Sequence, residues 1–147
     1  MDILYLESEA IMQRGVTQYL ESTRGHAVVA ISDPDAAVVA MKREHFTQRK
    51  ENFDVILIDP YRIIHNPTTQ ARHMPLLGSI MTTQAPVVVM TNILGHPSPE
   101  RYVEEMFALA PEHYQALIDK NGDVEVIGRT IDQVVAEHSA EQTPEES

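Results

Sequence analysis

Residues 52–60 read NFDVILIDP, and this stretch decides the fold. Val55, Ile56, Leu57 and Ile58 form an unbroken apolar run without polar alternation, the pattern of a strand buried on both faces. The run ends on Asp59 and Pro60. A charge stranded at the end of a core strand is costly, so Asp59 either reaches solvent at a strand tip or has a chemical task. Asp-Pro also favours a turn, which leaves open the plain alternative that the strand simply stops there.

Working outward, four similar runs recur: ILYL (3–6), AVVAI (27–31), VVVM (87–90) and the weaker ALI (116–118). Helical spacing separates them. Ile11, Met12, Val16, Tyr19 and Leu20 follow the first run. Asp33-Pro34 is an N-cap with proline at the first helical position, followed by Ala37, Val38, Met41 and Phe46. Ser98-Pro99 repeats that signal ahead of Tyr102, Val103, Met106 and Phe107. Asp123 caps a helix with Val124, Ile127, Ile131, Val134 and Val135 on its apolar face. Residues 61–83 carry the weakest signal, with Pro67 and Pro75 interrupting and one short helix expected from Pro75 to Met81. Strand alternating with helix five times predicts an α/β domain, a doubly wound five-stranded parallel sheet, over residues 1–138. The acidic remainder, 139–147, is expected to be disordered.

Composition excludes several functions. A net charge of −11 argues against direct binding to nucleic acid or an anionic membrane. No cysteine is present, which rules out disulfides and thiolate chemistry and fits a cytoplasmic location. No apolar run approaches the ~18 residues that span a bilayer. The seven histidines make no metal-type pairs, so zinc is not expected; His65, His73 and His96 fall in loops near the strand ends. Tyr102, Met106 and Phe107 read as core or interface.

In a doubly wound sheet the functional crevice lies beyond the carboxyl ends of the strands. The residues there are Glu7, Ser8 and Glu9 after the first run, Asp59 after the third, Thr91 after the fourth and Lys120 after the fifth. Carboxylates suit Mg²⁺, a lysine and a hydroxyl suit phosphoryl oxygens, and Asp59 is a candidate nucleophile. Each has a simpler reading. Ser8 suits a helix N-cap, and Lys120, in the turn sequence KNGD, suits a solvated loop.

FDVILIDP (53–60), PVVVMTN (86–92) and ALIDKNGDVEVIGRTI (116–131) together resemble a two-component response-regulator receiver domain, over roughly residues 2–138. The resemblance implies a flavodoxin-like receiver fold and phosphorelay signalling. It implies Asp59 as phosphoacceptor, with Thr91 and Lys120 on the phosphoryl group. Mg²⁺ would be held by Glu7, Asp59 and the Tyr61 backbone carbonyl, with Ser8 or Glu9 as further candidates. The implied partner is a histidine kinase or phosphotransfer protein, with homodimerisation through about residues 98–138. No enzymatic activity is implied beyond self-phosphorylation and autodephosphorylation. The chain departs from the family pattern at several points. Glu7-Ser8 replaces the usual pair of aspartates, and Asn121 replaces the proline after the lysine, predicting a trans, re-routed loop. Asn92 replaces a small residue, and Leu117 occupies the usual aromatic switch position. Glu7-Ser8, Asn121 and Leu117 favour an alternative, a pseudo-receiver that acts as a constitutive protein-binding or dimerisation module without being phosphorylated. A flavodoxin-like enzyme or cofactor binder is a third class, but the chain has no glycine-rich phosphate loop.

Overall fold

All five apolar runs are strands of one parallel sheet. The computed structural model of the chain describes residues 1–33, 36–41, 53–60, 78–80, 83–93 and 95–142. The strands are β1 (Asp2–Leu6), β2 (Ala27–Ile31), β3 (Val55–Ile58), β4 (Val87–Thr91) and β5 (Ala116–Asp119), in the order β2-β1-β3-β4-β5. Every neighbouring pair is parallel: Leu4 lies beside Val29 and Ile56, Leu57 beside Val88, and Val89 beside Leu117. The helices are α1 (Ala10–Ser22), α2 (described over 36–41), α3 (described over 78–80), α4 (Pro99–Phe107) and α5 (Val124–Gln142).

Alternation along the strands divides the core into two layers, because successive side chains of a strand point to opposite faces. Leu4, Leu6, Ile56, Ile58, Val87 and Val89 pack with Ala37, Val38, Met41, Ile80, Val103 and Phe107, from α2, α3 and α4. Ile3, Tyr5, Val55, Leu57, Val88 and Met90 pack with Val16 and Leu20 of α1 and with Ile127, Ile131 and Val134 of α5. The continuous apolar runs are thus the expected pattern for strands with a helical layer on each side. β2 differs. It is outermost in the sheet and largely exposed, with Val29 47% exposed.

Helix starts follow local chemistry. Asp123 caps α5: its Oδ1 accepts from the Glu125 N–H at 3.0 Å and its carbonyl from the Val126 N–H at 3.0 Å. Ser98 precedes Pro99 at the start of α4, and its carbonyl accepts from the Tyr102 N–H at 3.0 Å. The Asp33 carbonyl likewise accepts from the Ala37 N–H at 3.1 Å; the helix as far as Phe46 lies outside the described residues. Two expectations are corrected. Ser8 is not the N-cap of α1; Glu9 is, and its carbonyl accepts from the Gln13 N–H at 2.9 Å. α5 runs to Gln142, past the expected boundary at residue 138, because Ala140, Glu141 and Gln142 are good helix formers and extend an established helix. Residues 143–147, and most of the expected helix from Pro75 to Met81, lie outside the described residues; residues 78–80 are helical.

Candidate functional site

β1 turns back to β2 on one side of the sheet, and the chain then crosses to β3 on the other. The carboxyl ends of β1 and β3 therefore flank the point where the strand order reverses. Backbone bonds tie the tips together just past the strands. The Asp59 N–H donates to the Leu6 carbonyl at 2.9 Å, the Glu7 N–H to Ile31 at 3.0 Å, and the Lys120 N–H to Thr91 at 3.0 Å. Asp59, Glu7, Thr91 and Lys120 are thus set on the rigid end of the sheet.

Lys120 Nζ lies 2.5 Å from Asp59 Oδ2, 3.2 Å from Glu9 Oε2 and 3.3 Å from Glu7 Oε1. Asp59 and Glu7 are 1% and 0% exposed, so the ammonium compensates two buried carboxylates. Burial opposes the Lys120 charge, but the hydrogen bond and attraction of Asp59, followed by Glu7 and Glu9, outweigh it and push its pKa up to about 12. Glu7 behaves in the opposite way. Burial, then the negative charge of Asp59, raises its carboxyl above the ordinary carboxylate value despite Lys120 and the Glu9 N–H.

Glu7 is held from three directions. The Tyr5 hydroxyl donates to Oε1 at 3.3 Å, the Glu9 N–H donates to Oε2 at 3.3 Å, and the Gln13 side chain donates to its carbonyl at 3.1 Å. A cavity of about 380 Å³ opens above Asp59, lined by Glu9, Thr91 and Lys120 on the sheet side. His96 and Tyr102 line it from the loop and start of α4, their rings stacked at 3.9 Å with 20° between planes. Asn92 and Asn121, two departures from the family pattern, also line it. The described residues contain no cis peptide, in keeping with the trans Lys120-Asn121 linkage expected.

The structure therefore brings together Asp59, Thr91, Lys120, Glu7 and Glu9. Ser8 is half-buried, and no hydrogen bond or ion pair joins its side chain to this group among the described residues. Tyr61, and with it the expected carbonyl ligand, lies outside the described residues, as do His65 and His73. Lys120 is not a solvated loop lysine: its side chain is 13% exposed. Leu117 is half-buried and packs against the α2–α4 layer. The sequence reading missed Tyr5, hidden in the apolar run ILYL. Its signal was its position two residues before Glu7, which places both on one side of an extended chain. Tyr102, assigned to core or interface, lines the cavity while also meeting Phe107 edge-on at 6.0 Å.

Among the described residues no group of three His, Cys, Asp or Glu is arranged to hold a metal ion. Two carboxylate oxygens, Glu7 Oε1 and Asp59 Oδ2, do converge on a single cation, the Lys120 ammonium. Two hard oxygens aimed at one cationic centre fit Mg²⁺, which takes one or two carboxylates and fills its shell with phosphoryl oxygens and water.

The Glu7 shift has a testable sign. Its pKa is raised in the folded state, so the folded protein binds this proton more tightly than the unfolded chain does. That stabilisation is complete below the ordinary value of 4.5 and is lost as pH rises through the folded pKa. Glu7→Gln, neutral throughout and with Lys120 still facing Asp59 and Glu9, should therefore be more stable than the natural protein at pH 7. The difference should close below pH 4.5 in urea unfolding experiments. A Glu7→Gln protein less stable at pH 7 would show that Lys120 outweighs the burial cost.

No protein-family model matches the sequence, and no curated protein matches it. Solved structures do match. The N-terminal domain of a response regulator/sensory box/GGDEF protein from Carboxydothermus hydrogenoformans superposes with a TM-score of 0.66 at 16% identity, covering 96% of this chain and 98% of that one. The beryllofluoride-activated receiver domain of RstA from Klebsiella pneumoniae gives 0.63 at 19% identity, over 92% and 98%. The receiver domain of a sensor histidine kinase from Pseudomonas aeruginosa, described with magnesium in its active-site cleft, gives 0.64 at 16% identity, over 92% and 97%. The fold of this chain is that of response-regulator receiver domains.

Proposed function

We propose that the chain works as an atypical receiver domain in phosphorelay signal transduction, accepting a phosphoryl group on Asp59. The observation that carries the reading is the contact of Asp59 with Lys120 at 2.5 Å on the floor of a 380 Å³ cavity that Thr91 also lines. An Asp59 carboxylate oxygen attacks the phosphorus of a phosphohistidine; the new O–P bond forms as the P–N bond breaks, and its electron pair returns to the imidazole nitrogen. Lys120 follows the phosphoryl oxygens and the Thr91 hydroxyl donates to one of them, which neutralises charge where it accumulates. Mg²⁺ held by Glu7 and Asp59, with the Tyr61 carbonyl as the expected third ligand, would supply further neutralisation of those oxygens. The donor would be a histidine kinase or phosphotransfer protein. The output would be a change in the face formed by residues 98–138, the region assigned to homodimerisation, with no catalysis beyond phosphorylation and dephosphorylation of Asp59 itself.

One observation favours the pseudo-receiver reading. Lys120 already touches Glu7, Glu9 and Asp59, so the acids are compensated without a phosphoryl group. Thermal unfolding with Mg²⁺ and beryllofluoride, beside an Asp59→Asn control, separates the two. Ligand at 100 times its Kd stabilises by about 2.7 kcal/mol, a rise of roughly 5–10 °C in Tm for a domain of this size. A rise lost in Asp59→Asn supports phosphoryl acceptance. No rise in a cooperatively melting protein supports the constitutive binding module.

A further inference from the structure

We infer that Tyr5 is a positioning residue for the cation-binding carboxylate Glu7, a role that rests on reading the site as a Mg²⁺-dependent phosphoryl acceptor. Tyr5 is wholly buried between the sheet and the α1/α5 layer, and among the described residues its hydroxyl donates to Glu7 Oε1, at 3.3 Å. Tyr5 therefore spends a buried hydroxyl on a group at the strand tip. A buried hydroxyl is retained at a cost unless its hydrogen bond is made.

Glu7 gives that bond a purpose. A glutamate has one more rotatable bond than the aspartate a receiver usually carries at this point, so its oxygens have more positions to lose when a cation is gripped. Here both oxygens are already fixed, Oε1 by the Tyr5 hydroxyl and Oε2 by the Glu9 N–H. Oε1 keeps capacity beyond Tyr5, because a carboxylate oxygen accepts twice; in this structure Lys120 takes it, at 3.3 Å. The hydroxyl thus aims an over-long carboxylate at the space it shares with Asp59. Outer hydrogen-bond partners of metal ligands commonly set affinity in this way.

The test is a double-mutant cycle on Mg²⁺ affinity, read by isothermal titration calorimetry in the presence of beryllofluoride. Tyr5→Phe keeps the ring and removes the hydroxyl. It should weaken Mg²⁺ binding about tenfold. In a Glu7→Gln background the same change should alter affinity less than twofold, which a merely structural effect of Tyr5 would not reproduce. Equal losses in both backgrounds overturn the inference, as does unchanged affinity in Tyr5→Phe. A second variant, Tyr5→Met, fills the buried site without a hydroxyl and should weaken Mg²⁺ binding as Tyr5→Phe does. Natural affinity in either folded variant counts against the inference. If the natural protein shows the beryllofluoride-dependent Tm rise while Tyr5→Phe binds Mg²⁺ normally, the positioning role fails and the receiver reading stands. If the natural protein binds neither, both fall together.

Discussion

Lys120→Met is expected to lower the unfolding free energy by about 3–5 kcal/mol at pH 7, the cost of removing the ammonium that faces two buried carboxylates. The methionine keeps most of the lysine's length and apolar contact, so the loss reports charge rather than packing. Two of the carboxylates Lys120 touches, Asp59 and Glu7, are 1% and 0% exposed and cannot turn to water, whereas Glu9 is 57% exposed and can. The drop in Tm would be roughly 10 °C in a domain of this size. The pH dependence has a definite sign. In the natural protein the Lys120 pKa is raised from 10.5 to about 12, so its contribution is complete below 10.5 and lost as pH rises through 12. In Lys120→Met the penalty should shrink on acidification, because Glu7, whose carboxyl already sits above its ordinary value, sheds its charge by taking up a proton. Urea unfolding of both proteins at pH 7 and near pH 4.5 measures this. A difference below about 1 kcal/mol at pH 7 would show that Lys120 does little to compensate the buried carboxylates, and would remove the basis for a charged phosphoryl site.

How much of this was legible depended on which interactions a linear pattern encodes. The five strands were readable because a parallel sheet with helices on both faces demands unbroken apolar runs, and VILI, VVVM and ILYL supply them. The tips of those runs named Asp59, Thr91 and Lys120 as neighbours, since parallel strands bring all their carboxyl ends to one edge. The exposure of β2 was not readable. AVVAI has the same composition as a central strand, and its edge position follows from the order of pairing, not from its own residues. Ser8 misled for a local reason. It is a better capping residue than Glu9, but α1 begins at Ala10, which puts Glu9 rather than Ser8 at the N-cap. Tyr5 and Tyr102 were concealed by their own apolarity, because each ring packs with the core and its contact with Glu7 or the cavity is visible once the tip of β1 and the start of α4 are placed in space.

That distinction between like runs yields the other large expected effect. Leu57→Ala should destabilise the protein by about 3–5 kcal/mol, while Val29→Ala should cost less than about 1 kcal/mol. Leu57 sits mid-sheet on β3, wholly buried, paired beside Tyr5 and Val88 and covered by α1 and α5. Truncation there removes apolar area and leaves a cavity between a sheet and two helices that are already packed, so little collapse can refill it. Val29 is 47% exposed on the outermost strand, and water replaces what its side chain leaves. Paired denaturant curves with equal slopes isolate stability from changes in compactness. Similar losses at the two positions would mean that β2 is covered in solution, which requires a partner or another part of the chain over that edge. The predicted asymmetry would instead fix β3 as the strand that holds the sheet together. Asp59 would then follow directly on a strand whose packing tolerates little change, while β2 at the edge gives way more readily.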